Sequence, residues 1–167
     1  LKMLRVIRRL REALPIPIKA TFLGAHALAE KFKNDRSAYL KVIRREMLPN
    51  IQKEGLADYI DIFCEKGFFD ADDTRQMIEW GEQFGLKAKI HTNQFNAIGG
   101  IQVAAQKNIL SVDHLEVLST KEIDLLAKTD VLSVVLPGAA FFLRMSMPPV
   151  RQMIEKDLPV VIASDFN

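Results

Sequence analysis

Six short apolar runs punctuate the chain, each followed by a stretch in which apolar residues return at helical spacing. The runs fall at residues 18–23, 59–64, 88–91, 111–114, 131–136 and 160–164, and each is too short for a core helix. Between them the periodicity changes. Leu40, Ile43, Met47 and Ile51 share one helical face, as do Met77, Ile78, Gly81 and Phe84, and a later stretch carries Val150, Met153 and Ile154. Stop and start signals agree with this division. Asp35 and Asp70 are placed as N-caps, Ser119 with Glu122 spells a capping box, and Gly85 sits where a left-handed C-terminal residue belongs. Pro49 predicts a kink or split near Arg45, because it has no N–H for the preceding turn. A leading helix over residues 2–14, with Met3, Val6, Ile7, Leu10 and Leu14 on one stripe, ends at Pro15 and Pro17. Its arginines, Arg5, Arg8, Arg9 and Arg11, read as a solvated polar face.

Strict strand–helix alternation predicts an α/β fold with parallel strands joined by helical crossovers. The strand runs are mostly continuous rather than alternating, as strands covered on both faces are. The polar residues that end them are informative. His26 closes the first run, His91 the third and His114 the fourth, while Asp165 follows the sixth. Polar, metal-competent groups at the C-terminal ends of successive parallel strands suit the active rim of a (β/α)8 barrel. The fold expected is a partial TIM-like barrel of six parallel strands.

Each residue also has a plainer reading. His91 suits a metal, and equally a buried imidazole satisfied by a carbonyl. Asp165 would be costly to bury unpaired, so it calls for a metal, a base or N–H donors. Of Asp113 and His114, alternation allows one to face the mouth and the other away, and His114 could carry protons. Asp61 and Glu65 could add carboxylates, but a local ion pair around Cys64-Glu65-Lys66 is the simpler expectation. Gly99-Gly100 reads as a turn before a helix at 101–107 rather than an anion site.

Bulk properties narrow the class. With 49% apolar and 26% charged residues the chain is ordinary for a globular protein, and a net charge of +2 gives no reason to invoke nucleic acid. No apolar stretch approaches a membrane span of roughly 18 residues, and no secretory leader is visible. The single cysteine, Cys64, rules out an internal disulfide and a cysteine-cluster metal site, and fits a cytoplasmic setting. The pattern opens inside a helix at Leu1 and stops two residues after Asp165, so the 167 residues are expected to form a single partial barrel domain within a longer protein.

In order along the chain stand Thr21-Phe22-Leu23-Gly24-Ala25-His26, Lys89-Ile90-His91-Thr92-Asn93-Gln94, Ser111-Val112-Asp113-His114-Leu115-Glu116, Leu136-Pro137-Gly138-Ala139-Ala140-Phe141-Phe142 and Ala163-Ser164-Asp165-Phe166-Asn167. Together they resemble imidazolonepropionase, of the amidohydrolase superfamily, from Pro15 to Asn167. The resemblance implies hydrolysis of the ring amide of 4-imidazolone-5-propanoate to N-formimidoyl-L-glutamate, in histidine degradation, at one zinc or iron ion. It implies that the six runs are barrel strands three to eight, with His91 and Asp165 as metal ligands. His114 and Asp165 become the catalytic pair, and His26, Gln94 and Asn167 contact substrate. It further implies a small-molecule substrate, no membrane or nucleic-acid partner, and compatibility with a homodimer. Two departures stand out. Gln94 occupies a position that is often glutamate in the family, and an amide cannot exchange protons. The family's His-x-His pair from strand one has no counterpart here, so the 167 residues alone are expected to bind metal weakly and to be inactive. Competing readings are a related amidohydrolase acting on another ring, a catalytically silent domain, and an open nucleotide-binding sheet. The last lacks any glycine-rich phosphate loop.

Overall fold

The computed structural model describes residues 1–166. Six parallel strands form one sheet in sequence order: β1 (Thr21–Ala25), β2 (Tyr59–Cys64), β3 (Lys87–Thr92), β4 (Ser111–His114), β5 (Leu132–Val135) and β6 (Val160–Ile162). Every neighbouring pair is parallel. The helices follow in the expected alternation: α1 (Lys2–Ala13), α2 (Arg36–Val42), α3 (Leu48–Glu54), α4 (Ala71–Gln83), α5 (Gly100–Gln106), α6 (Thr120–Leu126), α7 (Pro137–Phe142) and α8 (Val150–Glu155). The α/β class and the partial-barrel order hold.

Local rules account for most boundaries. The Asp70 side chain accepts from the N–H groups of Asp72 and Asp73 while Asp73 accepts from the Asp70 N–H, a reciprocal cap that starts α4. Ser119 and Glu122 do the same for α6. Gly81 lies where α4 presses on β2, and a methyl group there would collide with Ile60. Between α2 and α3 the chain forms a π-helical turn, Ile43–Met47, and Pro49 follows in the first turn of α3. The split predicted from Pro49 therefore takes the form of a widened turn that absorbs the missing N–H.

Three expectations need correction. The first strand begins at Thr21 rather than residue 18, because Pro15 and Pro17 offer no N–H and Ala20 anchors the start by donating to Asp58 Oδ2 at 2.7 Å. The segment after β5, for which the spacing predicts no helix, coils into α7. The arginines of α1 form a solvated face only in part: Arg5 and Arg9 are exposed, but three of the four reach the body of the domain. Arg5 clasps Glu54 with two bonds of 2.9 and 2.6 Å, Arg8 reaches the Glu54 carbonyl, and Arg11 reaches Asp58 at 2.6 Å. The polar side thus meets the body, and Met3, Val6, Leu10 and Leu14 are exposed.

The core lies between sheet and helices. Ile60, Ile62, Cys64, Ala88, Ile90 and Val112 pack with Met77, Ile78, Ile101, Val103 and Ile123. The opposite face of the same strands is polar, and it leads to the site.

Candidate active site

On the interior side, alternation and register bring together residues two apart on each strand. Asp61 and Phe63 of β2 lie beside Lys89 and His91 of β3, which lie beside Ser111 and Asp113 of β4. These side chains form two linked pairs. Lys89 Nζ meets Asp113 Oδ2 at 2.9 Å, and the Ser111 hydroxyl donates to Asp113 Oδ1 at 2.6 Å. His91 Nδ1 lies 3.0 Å from Asp61 Oδ2, and Asp61 Oδ1 accepts from the Ile62 N–H. Burial pushes the His91 imidazole down, but the charges of Asp61 and Asp113 outweigh it, and the net displacement is upward. Lys89 behaves alike: burial lowers it and Asp113 more than restores it.

Above this layer, at the C-terminal ends of the strands, a cavity of about 160 Å³ is lined by Leu23, His26, Phe63, His91, Gln94, His114 and Asp165. The sequence-predicted residues from four separate strand ends therefore converge. Asn167 lies outside the described residues. The His91 and His114 rings stand edge to face with centroids 5.4 Å apart, and Phe63 lies 5.6 Å from His26 and 6.4 Å from His114.

His114 reaches the mouth by breaking the strand rule. Its register partners, Thr92 and Val135, belong to the helix-facing set, so alternation would send it away from the cavity. Its φ of +91°, followed by +73° at Leu115, turns the backbone and delivers the ring to the mouth. Asp165 also has a positive φ, 52°. Left-handed backbone in non-glycine residues carries strain of order 1–3 kcal/mol and clusters at functional sites. Both Asp113 and His114 are thus directed inward, where only one of the two was expected to be. His114 Nδ1 faces the buried Glu116 at 3.6 Å, beyond hydrogen-bond length.

Glu65 does not pair with the Lys66 side chain, as the sequence suggested. Fully buried, it accepts from the Lys66 N–H, from the Phe95 and Asn96 N–H groups and from the Asn96 side chain. It anchors the loop that carries Gln94. Asp61, set aside as local, sits against His91. Both had a visible signal: a carboxylate inside a buried strand needs a partner, and Asp61, Lys89 and Asp113 occupy matching interior positions. Cys64 is buried in the core among the helices, away from the cavity, with its thiol pushed up by burial. A larger concavity, about 430 Å³, lies outside between α2 and α4. Its Arg36 is already paired with Asp70 and Asp73, and its Arg44 with Gln83.

The residues present fit a metal ion as part of a ligand set. An imidazole whose Nδ1 is turned to a carboxylate keeps Nε2 free, and the exposed Asp165 carboxylate, with no ion pair among the described residues, lines the same cavity. Among the described residues, Asp61, His91 and Asp113 also place ligand atoms within 4.8 Å of one another, but Lys89 already fills that cluster with a cation.

Curated relatives align with every residue of the chain. Imidazolonepropionases of Christiangramia forsetii and Flavobacterium johnsoniae are each 49% identical over 167 residues. The chain is homologous to imidazolonepropionase along its whole length. A third such relative, from Geobacillus thermodenitrificans, is 38% identical. The chain spans only 41% of the first two imidazolonepropionases and 39% of the third. No family model matches. Among solved structures, a triazine hydrolase variant superposes with a TM-score of 0.69 over 94% of this chain and 39% of its own, at 11% identity. An N-isopropylammelide isopropylaminohydrolase from Burkholderia multivorans gives 0.68 over 96% and 42%, at 16% identity. An adenosine deaminase from Xanthomonas campestris, solved with bound zinc, gives 0.61 over 89% and 36%, at 12% identity. At these identities the structures bear on the fold alone, and they match its six parallel strands alternating with helices.

Proposed function

We propose that the protein containing this segment hydrolyses 4-imidazolone-5-propanoate to N-formimidoyl-L-glutamate in histidine degradation, using one zinc or iron ion held in part by His91 and Asp165. One observation carries the reading: His26, His91, Gln94, His114 and Asp165, from four strand ends, line one small cavity. The homology to imidazolonepropionases over the whole chain supports the substrate. An ion in this position supplies Lewis acidity and a water acidic enough to react near neutral pH.

The chain's own residues do the rest. Asp165 accepts the proton of the attacking water and returns it to the ring nitrogen that leaves. His114, fixed at the mouth by its backbone, donates toward the carbonyl oxygen as negative charge develops there. Gln94 donates to or accepts from the substrate ring but does not exchange protons. His26 contacts substrate at the rim beside Phe63, and Asn167 is a further substrate contact that the family resemblance implies. Two protein ligands fall short of the usual three or more, so the remaining donors belong to parts of the protein outside these 167 residues. The segment is one partial barrel domain of a cytoplasmic protein, compatible with a homodimer. No described helix is long and apolar enough to cross a membrane.

Assay of the full-length, metal-loaded protein for formimidoylglutamate formation tests this, and turnover at an ordinary enzymatic rate is the expected result. Absence of turnover with imidazolonepropionate, alongside hydrolysis of another cyclic amide or amidine, would move the protein to a related amidohydrolase. Gln94 is the residue that favours this second reading.

A further inference from the structure

We infer that Asp61 is a positioning residue that fixes the tautomer and orientation of His91, so that Nε2 is the nitrogen presented to the mouth. The inference rests on the reading of His91 as a metal ligand. Asp61 is 1% exposed, and a buried carboxylate must find donors. Its Oδ1 takes the Ile62 N–H at 2.8 Å. Its Oδ2 has no hydrogen-bond donor, and His91 Nδ1, itself without a partner, stands 3.0 Å away. That is hydrogen-bond length without hydrogen-bond alignment, and a modest rotation of the ring closes it. A neutral imidazole carries one proton, and on the Nδ1 side an unmet acceptor, Asp61 Oδ2, already stands at 3.0 Å. The proton therefore belongs on Nδ1, leaving the Nε2 lone pair for the cavity.

Asp113 could compete, since it is the register partner of His91 on β4. It does not, because Ser111 and Lys89 occupy its two oxygens at 2.6 and 2.9 Å. Lys89 thus assigns the two carboxylates: Asp113 to the ammonium, Asp61 to the imidazole. The triplet Asp61, His91 and Asp113 is then a support for a metal at the mouth rather than a second cation site. A carboxylate behind a ligating histidine fixes ring orientation and raises its basicity.

The test uses the full-length protein. Asp61→Asn keeps the shape and the acceptor for Ile62 but can turn an amide N–H toward Nδ1. We expect zinc affinity, read by chelator competition with zinc alone, to fall about 10- to 100-fold. In the metal-free protein, ¹⁵N shifts of His91 should move from the Nδ1–H to the Nε2–H pattern, while Asp113→Asn leaves them unchanged. If Asp61→Asn does not fold, the same shifts in the wild-type protein decide: an Nε2–H imidazole overturns the inference. Unchanged affinity and tautomer in Asp61→Asn, with zinc lost in His91→Ala, overturns it while leaving the metal reading intact. Zinc retained in His91→Ala overturns both.

Discussion

On the helix side of β2, β3 and β4, Ile60, Ile62, Ala88, Ile90 and Val112 pack against α4 and α5 as an apolar layer. On the interior side, the same strands carry Asp61, Ser111 and Asp113, which are buried, with Lys89 and His91, which are partly buried. The first face gains from area removed from water, in any order of similar side chains. The second has no such latitude, since each buried charge is tolerable only beside its partner. The comparison teaches that strand parity separates two kinds of tolerance: the apolar face accepts similar side chains, while the interior face, which carries the site, depends on each group keeping its partner.

The largest effect is expected at the mouth. His91→Ala in the full-length protein should lower kcat/KM for imidazolonepropionate by at least about 1000-fold, about 4 kcal/mol of barrier, with the unfolding midpoint little changed. Steady-state kinetics beside thermal unfolding would separate the two. Lys89→Met should act first on stability. It strands Asp113 without its cation and should destabilise by about 3–5 kcal/mol, read from denaturant unfolding. On the apolar face, Ile90→Ala should cost about 2–5 kcal/mol, with activity per folded molecule retained.

The smallest effect concerns Asp58, which lies outside both faces and ties α1 to the start of β1. Burial pushes its carboxyl up, but the Ala20 N–H and the Arg11 guanidinium hold it below the usual carboxylate range. A depressed folded-state value stabilises fully above the unfolded carboxylate range near 3.9 and fades as pH falls through the folded value. Asp58→Asn should therefore cost about 1 kcal/mol at pH 7 and flatten the acid limb of the stability curve. An unchanged acid limb would remove Asp58 from that role.

Legibility in the sequence follows the same division. Periodicity marked β2 and β4 to the residue, because both are buried on each face and bounded by clear breaks. It marked the helix caps, whose chemistry is local. It also marked the strand-end residues that line the cavity, because a polar group ending an apolar run is visible in one dimension. Pairing was not visible. Asp61 and His91 are 30 positions apart, and only register places them together. The orientation of α1 was not visible either. An amphipathic pattern says that a helix has two faces, and here Glu54 and Asp58 draw the arginine face inward. Nor could alternation deliver His114 to the mouth, since a positive φ at a histidine overrides it.

The most direct measurement is anomalous diffraction at the metal edge from crystals of the full-length protein. A single peak at the mouth, about 2.0–2.2 Å from His91 Nε2 and an Asp165 carboxylate oxygen, is the result expected. A peak below the mouth, among Asp61, His91 Nδ1 and Asp113, would contradict the assignment of both the metal site and its carboxylate support.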